Sequence, residues 1–494
     1  MMEAGFREKL KTGVLVGLVL ISLLQVGIHW NLQVQGHPFR FVSNLLHANP
    51  NDTVVDEKQL STKKIGYVTP NRIVVSDEQS ARWVLDPSGA AWRTAWIDLT
   101  THYLPQLVAE KPDKQLQRSS WGQLLASRRT ILFEFEHPIP AEILPWLTGT
   151  SSGKKGISFT SAMTDIEKIA IVPSENVNTN INTLYVLSTG GVYRFMIALP
   201  AEALPKSWYV MDQQALAGGE NHLYSLMGET LFVPSARQDL LVSTDESDLI
   251  PLPVYEAALP EAISATFAMD NLQAIQESLL LNRKDSLLTR LDETTGEITF
   301  SDTENTFKLD TAGNFSYRYL PGSGMEGTDM ESAFRQAMAF LEDRRWLLGD
   351  TGFILDSVSA SATGTAVPSG KMMAFTFTFV YRVDGCTVLA RNSVTGNTEA
   401  PVTITAIADR VIACDWCIRK FTPVASERWN VFFVDFYTDA IKAFPILQAK
   451  GQELSVIRNG YLIPEREESA QLSPQWILQA NGVVYTLPMR KAVP

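Results

Sequence analysis

Gly149-Thr-Ser151-Ser-Gly153 has the spacing of a nucleophile elbow, in which a sharp turn between a buried strand and an apolar helix exposes a serine hydroxyl. Gly153-Lys-Lys-Gly156 follows where the apolar helix belongs, so these residues read as a loop. Gly322-Ser-Gly324-Met-Glu-Gly327 has the spacing of a dinucleotide-phosphate turn and lies between a predicted strand and a predicted helix. That helix carries its own cap at Thr328, the flanking strands read as antiparallel, and no strand with a closing acidic residue follows about 20 positions on. The segment reads as a strand-to-helix turn.

Cys414-Asp-Trp-Cys417 is a CxxC by letter, inside the apolar run Arg410 to Ile418. No helix N-terminus follows to stabilise a thiolate, and no second ligand pair stands at zinc-binding spacing. With Cys386 the chain has three cysteines, too few for a disulfide framework, and buried strand cysteines are expected. Of the six histidines, His102, His137 and His222 lie clear of the N-terminal apolar segment and are candidate bases, none with a companion cluster. Asp245-Glu-Ser-Asp248 reads as a solvated acidic turn rather than a calcium loop. The expectation is a protein that is not an enzyme, with no catalytic, cofactor-binding or metal-binding residues.

The chain is organised around a different stretch, Gly13 to Trp30, which has no charged residue. Its 18 residues would cover roughly 27 Å as a helix, close to the hydrocarbon thickness of a bilayer. A signal peptide would close on a small-x-small cleavage site, whereas this run ends in Ile28, His29 and Trp30. An uncleaved transmembrane helix is expected. Arg7, Lys9 and Lys11 precede it and the next basic residue is Arg40, which places the N-terminus in the cytoplasm and the bulk of the chain outside the membrane.

At 100° per residue Gly13 and Gly17 align as a close-packing GxxxG, while Ser22 and Gln25 offer hydrogen bonds that lipid does not satisfy. These four are the candidate helix-helix contacts in the membrane.

A net charge of −12 argues against nucleic acid, and 45% hydrophobic content is enough for packed cores. The expected organisation is a cytoplasmic head at 1–12, a transmembrane helix at 13–30 and a polar stalk at 31–64. An N-terminal extracytoplasmic α/β domain at 65–230, a central helix-plus-meander domain at 231–325 and a C-terminal tandem α+β domain at 326–494 follow.

Several elements are readable within these. Trp92 and Trp96 at i, i+4 predict the inner face of a helix from about Ala90 to Leu107. Thr130 to His137 alternates as a strand. Met269 to Leu281 and Phe436 to Leu447 predict helices, and strands are expected near 297–300, 307–309 and 315–320. Thr328-Asp-Met-Glu331 predicts a capping box for a helix to Leu348, with Phe334, Met338, Leu341 and the Trp346-Leu347 end as its apolar stripe. Ala374 to Val383 alternates into a hairpin at Asp384-Gly385. Glu453 to Arg458 predicts a strand broken by Asn459-Gly460, and Trp476 to Leu487 a hairpin turning at Asn481-Gly482. The fold class is α+β, with antiparallel meanders and packed helices behind one membrane span.

Short patches of the sequence resemble the YycH family of extracytoplasmic regulators of the WalK (YycG) sensor histidine kinase. They are Leu20-Ile-Ser22-Leu-Leu in the anchor, Pro70-Asn-Arg72-Ile-Val-Val, Leu132-Phe-Glu-Phe135, Pro138-Ile-Pro140-Ala-Glu-Ile-Leu, and Leu472-Ser-Pro474-Gln-Trp476 through Gly482 to Tyr485. The last patch also resembles the closing hairpin of the partner family YycI and of PepSY-like modules. The resemblance implies a non-enzymatic cell-membrane protein whose anchor lies beside the kinase's transmembrane helices. It also implies a YycI-like partner and control of cell-wall metabolism. A membrane-tethered carrier or sensor of an apolar lipid or cell-wall ligand is the alternative, and it would require a continuous apolar cavity.

Overall fold

The computed structural model describes residues 65–76, 82–87, 89–126, 129–149, 163–173, 181–199, 222–226, 237, 239–243, 249–264, 279–280, 288–292, 294–319, 329–349, 351–362, 373–392, 395–432, 454–464, 469–480 and 483–489. The expected membrane helix, its four contact residues, the stalk and the helix Phe436 to Leu447 lie outside them. So does the helix Met269 to Leu281, apart from Leu279 and Leu280, both buried. Among the described residues no helix is long and apolar enough to cross a membrane.

The N-terminal strands are β1 (Arg72–Ser76), β2 (Arg82–Val84), β3 (Lys114–Leu116), β4 (Thr130–Pro140), β5 (Asp165–Val172), β6 (Ile181–Ser188), β7 (Gly191–Ala198), β8 (His222–Leu226) and β9 (Leu241–Ser243). They form one antiparallel sheet in the order β3-β7-β6-β5-β4-β1-β2-β8-β9, with β4 at its centre. That position suits its sequence: Ile131, Leu132 and Phe133 are all buried, as a strand covered on both faces requires. Trp92 and Trp96 are buried on the helix Ala90–Asp98, which continues through a wide turn at Leu99–Tyr103 into Leu104–Ala109.

The later strands are β10 (Leu249–Ala258), β11 (Leu288–Leu291), β12 (Ile298–Ser301), β13 (Asn305–Leu309), β14 (Asn314–Tyr319), β15 (Gly352–Ala362), β16 (Met373–Val383), β17 (Cys386–Arg391), β18 (Thr398–Glu399), β19 (Val402–Ile407) and β20 (Arg410–Cys417). Then come β21 (Lys420–Phe432), β22 (Leu454–Ile463), β23 (Ser469–Leu472), β24 (Gln475–Ala480) and β25 (Val483–Pro488). Strands β21, β10 and β23 make a small sheet. The others form a large one in the order β11-β12-β13-β14-β20-β19-β16-β17-β22-β24-β25, with β15 also on β16 and β18 on β17. The described chain is therefore mostly β-sheet with few helices, a stronger β bias than the α+β pattern suggested.

Phe375, Phe377, Phe379 and Tyr381 of β16 are buried, and the turn after it has positive φ at both Asp384 (45°) and Gly385 (79°). That is the two-residue hairpin geometry whose twist matches its strands. The helix Met330–Glu342 lays Phe334, Met338 and Leu341 into the core, each burial contributing about 1.5–3 kcal/mol. Two details differ from the sequence reading. Its N-cap is Asp329 rather than Thr328, because the Asp329 carboxylate accepts from the Glu331 and Ser332 backbone N–H groups. Trp346 is half exposed, because the last turn tightens to a 3-10 helix at Arg345–Leu348 and rotates Leu347 inward instead.

Asn459-Gly460 does not break its strand. β22 runs through it and pairs parallel with β17, Thr387 opposite Gly460, an exception to the antiparallel expectation. A Cβ at Gly460 would stand 2.6 Å from the Thr387 carbonyl oxygen, so glycine here permits close backbone approach rather than a turn.

Across β1, β4 and β5 the register sets Arg72 opposite Glu134 and Glu134 opposite Lys168. Arg72 pairs with Glu134 at 2.8 Å, and Lys168 bridges Glu134 at 2.7 Å and Asp239 at 2.9 Å. Arg237 closes the row with a two-pronged contact to Asp239 at 2.9 and 2.8 Å. Burial, the largest effect on Asp239, favours its neutral form. The charges and hydrogen bonds of Lys168 and Arg237 outweigh burial and hold its carboxyl well below the usual range.

A depressed carboxyl contributes stability that is present above its unfolded pKa near 3.9 and is lost as pH falls toward the folded value. Urea denaturation from pH 5 to pH 3 should accordingly show a loss of about 1–2 kcal/mol in the wild type that Asp239→Asn lacks. Equal slopes in the two proteins would remove Asp239 from the account.

Candidate functional site at the seam between two sheets

The central strand β4 leaves its ladder after Glu134. Pairing with β5 resumes only at Ile139, so residues 135–138 form a wide bulge. Pro138 and Pro140 explain this, since proline has no N–H to give the ladder. Strand β15 packs against β4 and carries a bulge of its own, with Leu355 and Ser357 paired to consecutive residues of β16 and Asp356 left over between them. A bulge re-aims side chains that regular pleating would send to opposite faces. Here two bulges point their extra residues at one another.

The result is a polar cluster that is buried at Glu136 and half-buried at His137 and Asp356. Glu136, whose side chain is 1% exposed, forms an ion pair with Arg458 of β22, 6% exposed, through Oε1 and Nη1. The Thr387 hydroxyl of β17 donates to the same Oε1 at 3.2 Å. His137 Nε2 lies 2.5 Å from Asp356 Oδ1, and the Thr378 hydroxyl donates to Asp356 Oδ2 at 3.1 Å. Burial opposes ionisation of Asp356, but His137, the Arg458 charge and the Thr378 hydroxyl together outweigh it and the carboxyl is held below its usual range. Arg382 of β16 donates to the carbonyl oxygens of Pro70 and Asn71 just ahead of β1.

Apart from the Thr378 contact, which lies within the large C-terminal sheet, these bonds join the N-terminal sheet region to that sheet. An apolar contact and a further hydrogen bond flank them: Trp146 meets Phe334 edge-on at 5.5 Å, and the Tyr67 hydroxyl donates to Glu342 at 2.5 Å.

The other residues singled out in the sequence are placed as follows. His102 lies on the turn Leu99–Tyr103 and His222 on β8, while His137 has joined the seam. Cys414 is fully buried in β20, and burial pushes its thiol well up. Burial likewise raises Cys417, and raises Cys386 to about 11, which leaves little thiolate at neutral pH. Gly149 has a positive φ of 70°, but Ser151, the glycines Gly322, Gly324 and Gly327, and the acidic turn at 245–248 lie outside the described residues.

This architecture has a solved counterpart. The crystal structure of YycH from Bacillus subtilis superposes over 85% of this chain and 96% of its own, with a TM-score of 0.52 and 11% sequence identity. The chain has the YycH fold. A crystal structure of an uncharacterized protein from Eubacterium rectale covers 49% of this chain and 82% of its own at 10% identity, with a TM-score of 0.32. No protein-family model matches the sequence, and no curated protein does.

Proposed function

We propose that this protein is a non-enzymatic, membrane-anchored regulator of a WalK-type sensor histidine kinase, working with a YycI-like partner to modulate cell-wall metabolism. The observation that carries this reading is the YycH fold, because it extends over 96% of the Bacillus subtilis chain rather than over one module. The bulk of the protein then lies on the extracytoplasmic side, behind the helix expected at 13–30. A regulator of this kind acts by binding the two signalling states of the kinase unequally.

A carrier of an apolar ligand would need a continuous apolar cavity, and two clefts among the described residues have charged groups in their walls. A cleft of about 500 Å³ has Asp86, Arg382 and Asp384 in its wall, and another of about 250 Å³ has Arg391, Glu399 and Asp415. Lipid-binding cavities are lined predominantly by apolar side chains.

Deletion of the gene, followed by measurement of the phosphorylated fraction of the response regulator served by the kinase, tests the proposal. A change of several-fold that the full chain restores is the expected result. An unchanged fraction, with the kinase present at normal level, would reject the role.

A further inference from the structure

We propose that Glu136, His137 and Asp356 form a zinc site that ties the N-terminal sheet to the large C-terminal sheet. A carboxylate oxygen of Glu136, a ring nitrogen of His137 and a carboxylate oxygen of Asp356 lie within 4.8 Å of one another. A tetrahedral ion about 2.0–2.1 Å from each ligand would hold them about 3.3 Å apart. His137 Nε2 and Asp356 Oδ1, 2.5 Å apart without it, would then exchange their direct contact for bonds to the ion and move apart by somewhat under an ångström, with water in the fourth position.

Three features argue for coordination rather than a chance meeting of charges. Each carboxylate is oriented by a threonine on one oxygen: Thr387 and Arg458 hold Glu136 Oε1, and Thr378 holds Asp356 Oδ2. Partners of this kind are what metal ligands need behind them. Second, Glu136 Oε2 is buried and has no hydrogen-bond partner among the described residues, a costly state for a carboxylate that an ion would relieve. Third, all three ligands sit on bulges of facing strands, so the site depends on local departures from pleating that regular strands would not make.

The donor set selects the ion. Arg458 and Arg382 already balance the two carboxylates, and Arg382 lies near enough to feel Glu136. A dication therefore gains little from net charge and must be held by its coordination bonds. Calcium and magnesium depend on several charged oxygens, whereas zinc takes imidazole nitrogen together with carboxylate. This inference is independent of the proposed regulatory role.

The test uses the full chain in detergent, stripped with EDTA and dialysed, then titrated calorimetrically with zinc chloride, calcium chloride and magnesium chloride. One zinc ion per chain at micromolar or tighter affinity is expected, with no heat from calcium or magnesium. His137→Gln and Asp356→Asn should each weaken zinc at least tenfold. Cobalt(II) added to the unmutated chain should give visible tetrahedral bands without a thiolate charge-transfer band, a readout that survives if the variants fold poorly. Absence of saturable zinc binding would overturn the proposal, as would affinity unchanged in both variants or a sulfur band assigning the ion to the cysteines.

Discussion

Arg458→Ala should destabilise the folded protein by about 3–5 kcal/mol, the cost of leaving one partner of a buried ion pair uncompensated. The Glu136 carboxylate is 1% exposed and relies on the Arg458 charge for its ion pair and on the Thr387 hydroxyl for a hydrogen bond. Against a total stability of roughly 5–15 kcal/mol, that loss moves a urea midpoint far down its scale.

The companion variant separates charge from packing. Glu136→Leu together with Arg458→Met removes both charges and keeps most of the volume, and it should recover the larger part of the loss, as buried pairs replaced by apolar residues generally do. All three proteins are to be measured in EDTA, so that metal binding does not enter. If Arg458→Ala cost less than about 1 kcal/mol, the pair would be solvated in solution and the seam would be held by its apolar contacts alone.

How this seam escapes a reading of the sequence is instructive. The Phe-rich strand ending at Asp384-Gly385, the inward pair Trp92 and Trp96, and the meander near residues 298–319 follow from periodicity and turn residues a few positions apart. Glu136, His137, Asp356, Thr387 and Arg458 come from four strands in two sheets, and nothing local relates them. Faint signals existed. Pro138 and Pro140 at the end of an alternating strand mark a ladder about to fail, and Asp356 is a single charge inside Phe-Ile-Leu-Asp-Ser-Val.

Asn459-Gly460 misled for the opposite reason. Its letters match a turn, while tertiary pairing with β17 uses the glycine for its missing side chain. Two patches that carry the family resemblance turn out to be neighbours: Arg72 of the first pairs with Glu134 of the second across β1 and β4. Short resemblances scattered along a chain gain meaning when the fold sets them side by side.

The second large effect concerns the helix expected at 13–30, which lies outside the described residues. Gly13 and Gly17 would let a neighbouring helix approach closely, and Ser22 and Gln25 would offer it hydrogen bonds that hydrocarbon does not. Each such contact contributes roughly 0.6–2 kcal/mol, so two or three of them acting on a near-balanced kinase equilibrium amount to about tenfold in the ratio of its states. Replacing Gly13 and Gly17 with isoleucine, or Gln25 with leucine, should therefore change the phosphorylated fraction of the response regulator, with the amount of membrane-bound protein held constant by immunoblot. An unrelated single span substituted for residues 13–30 should have the same effect, because it keeps the attachment and removes the contacts. Wild-type output from that swap would reduce the segment to a tether, and differential binding to the kinase would then have to come from the sheets beyond the membrane.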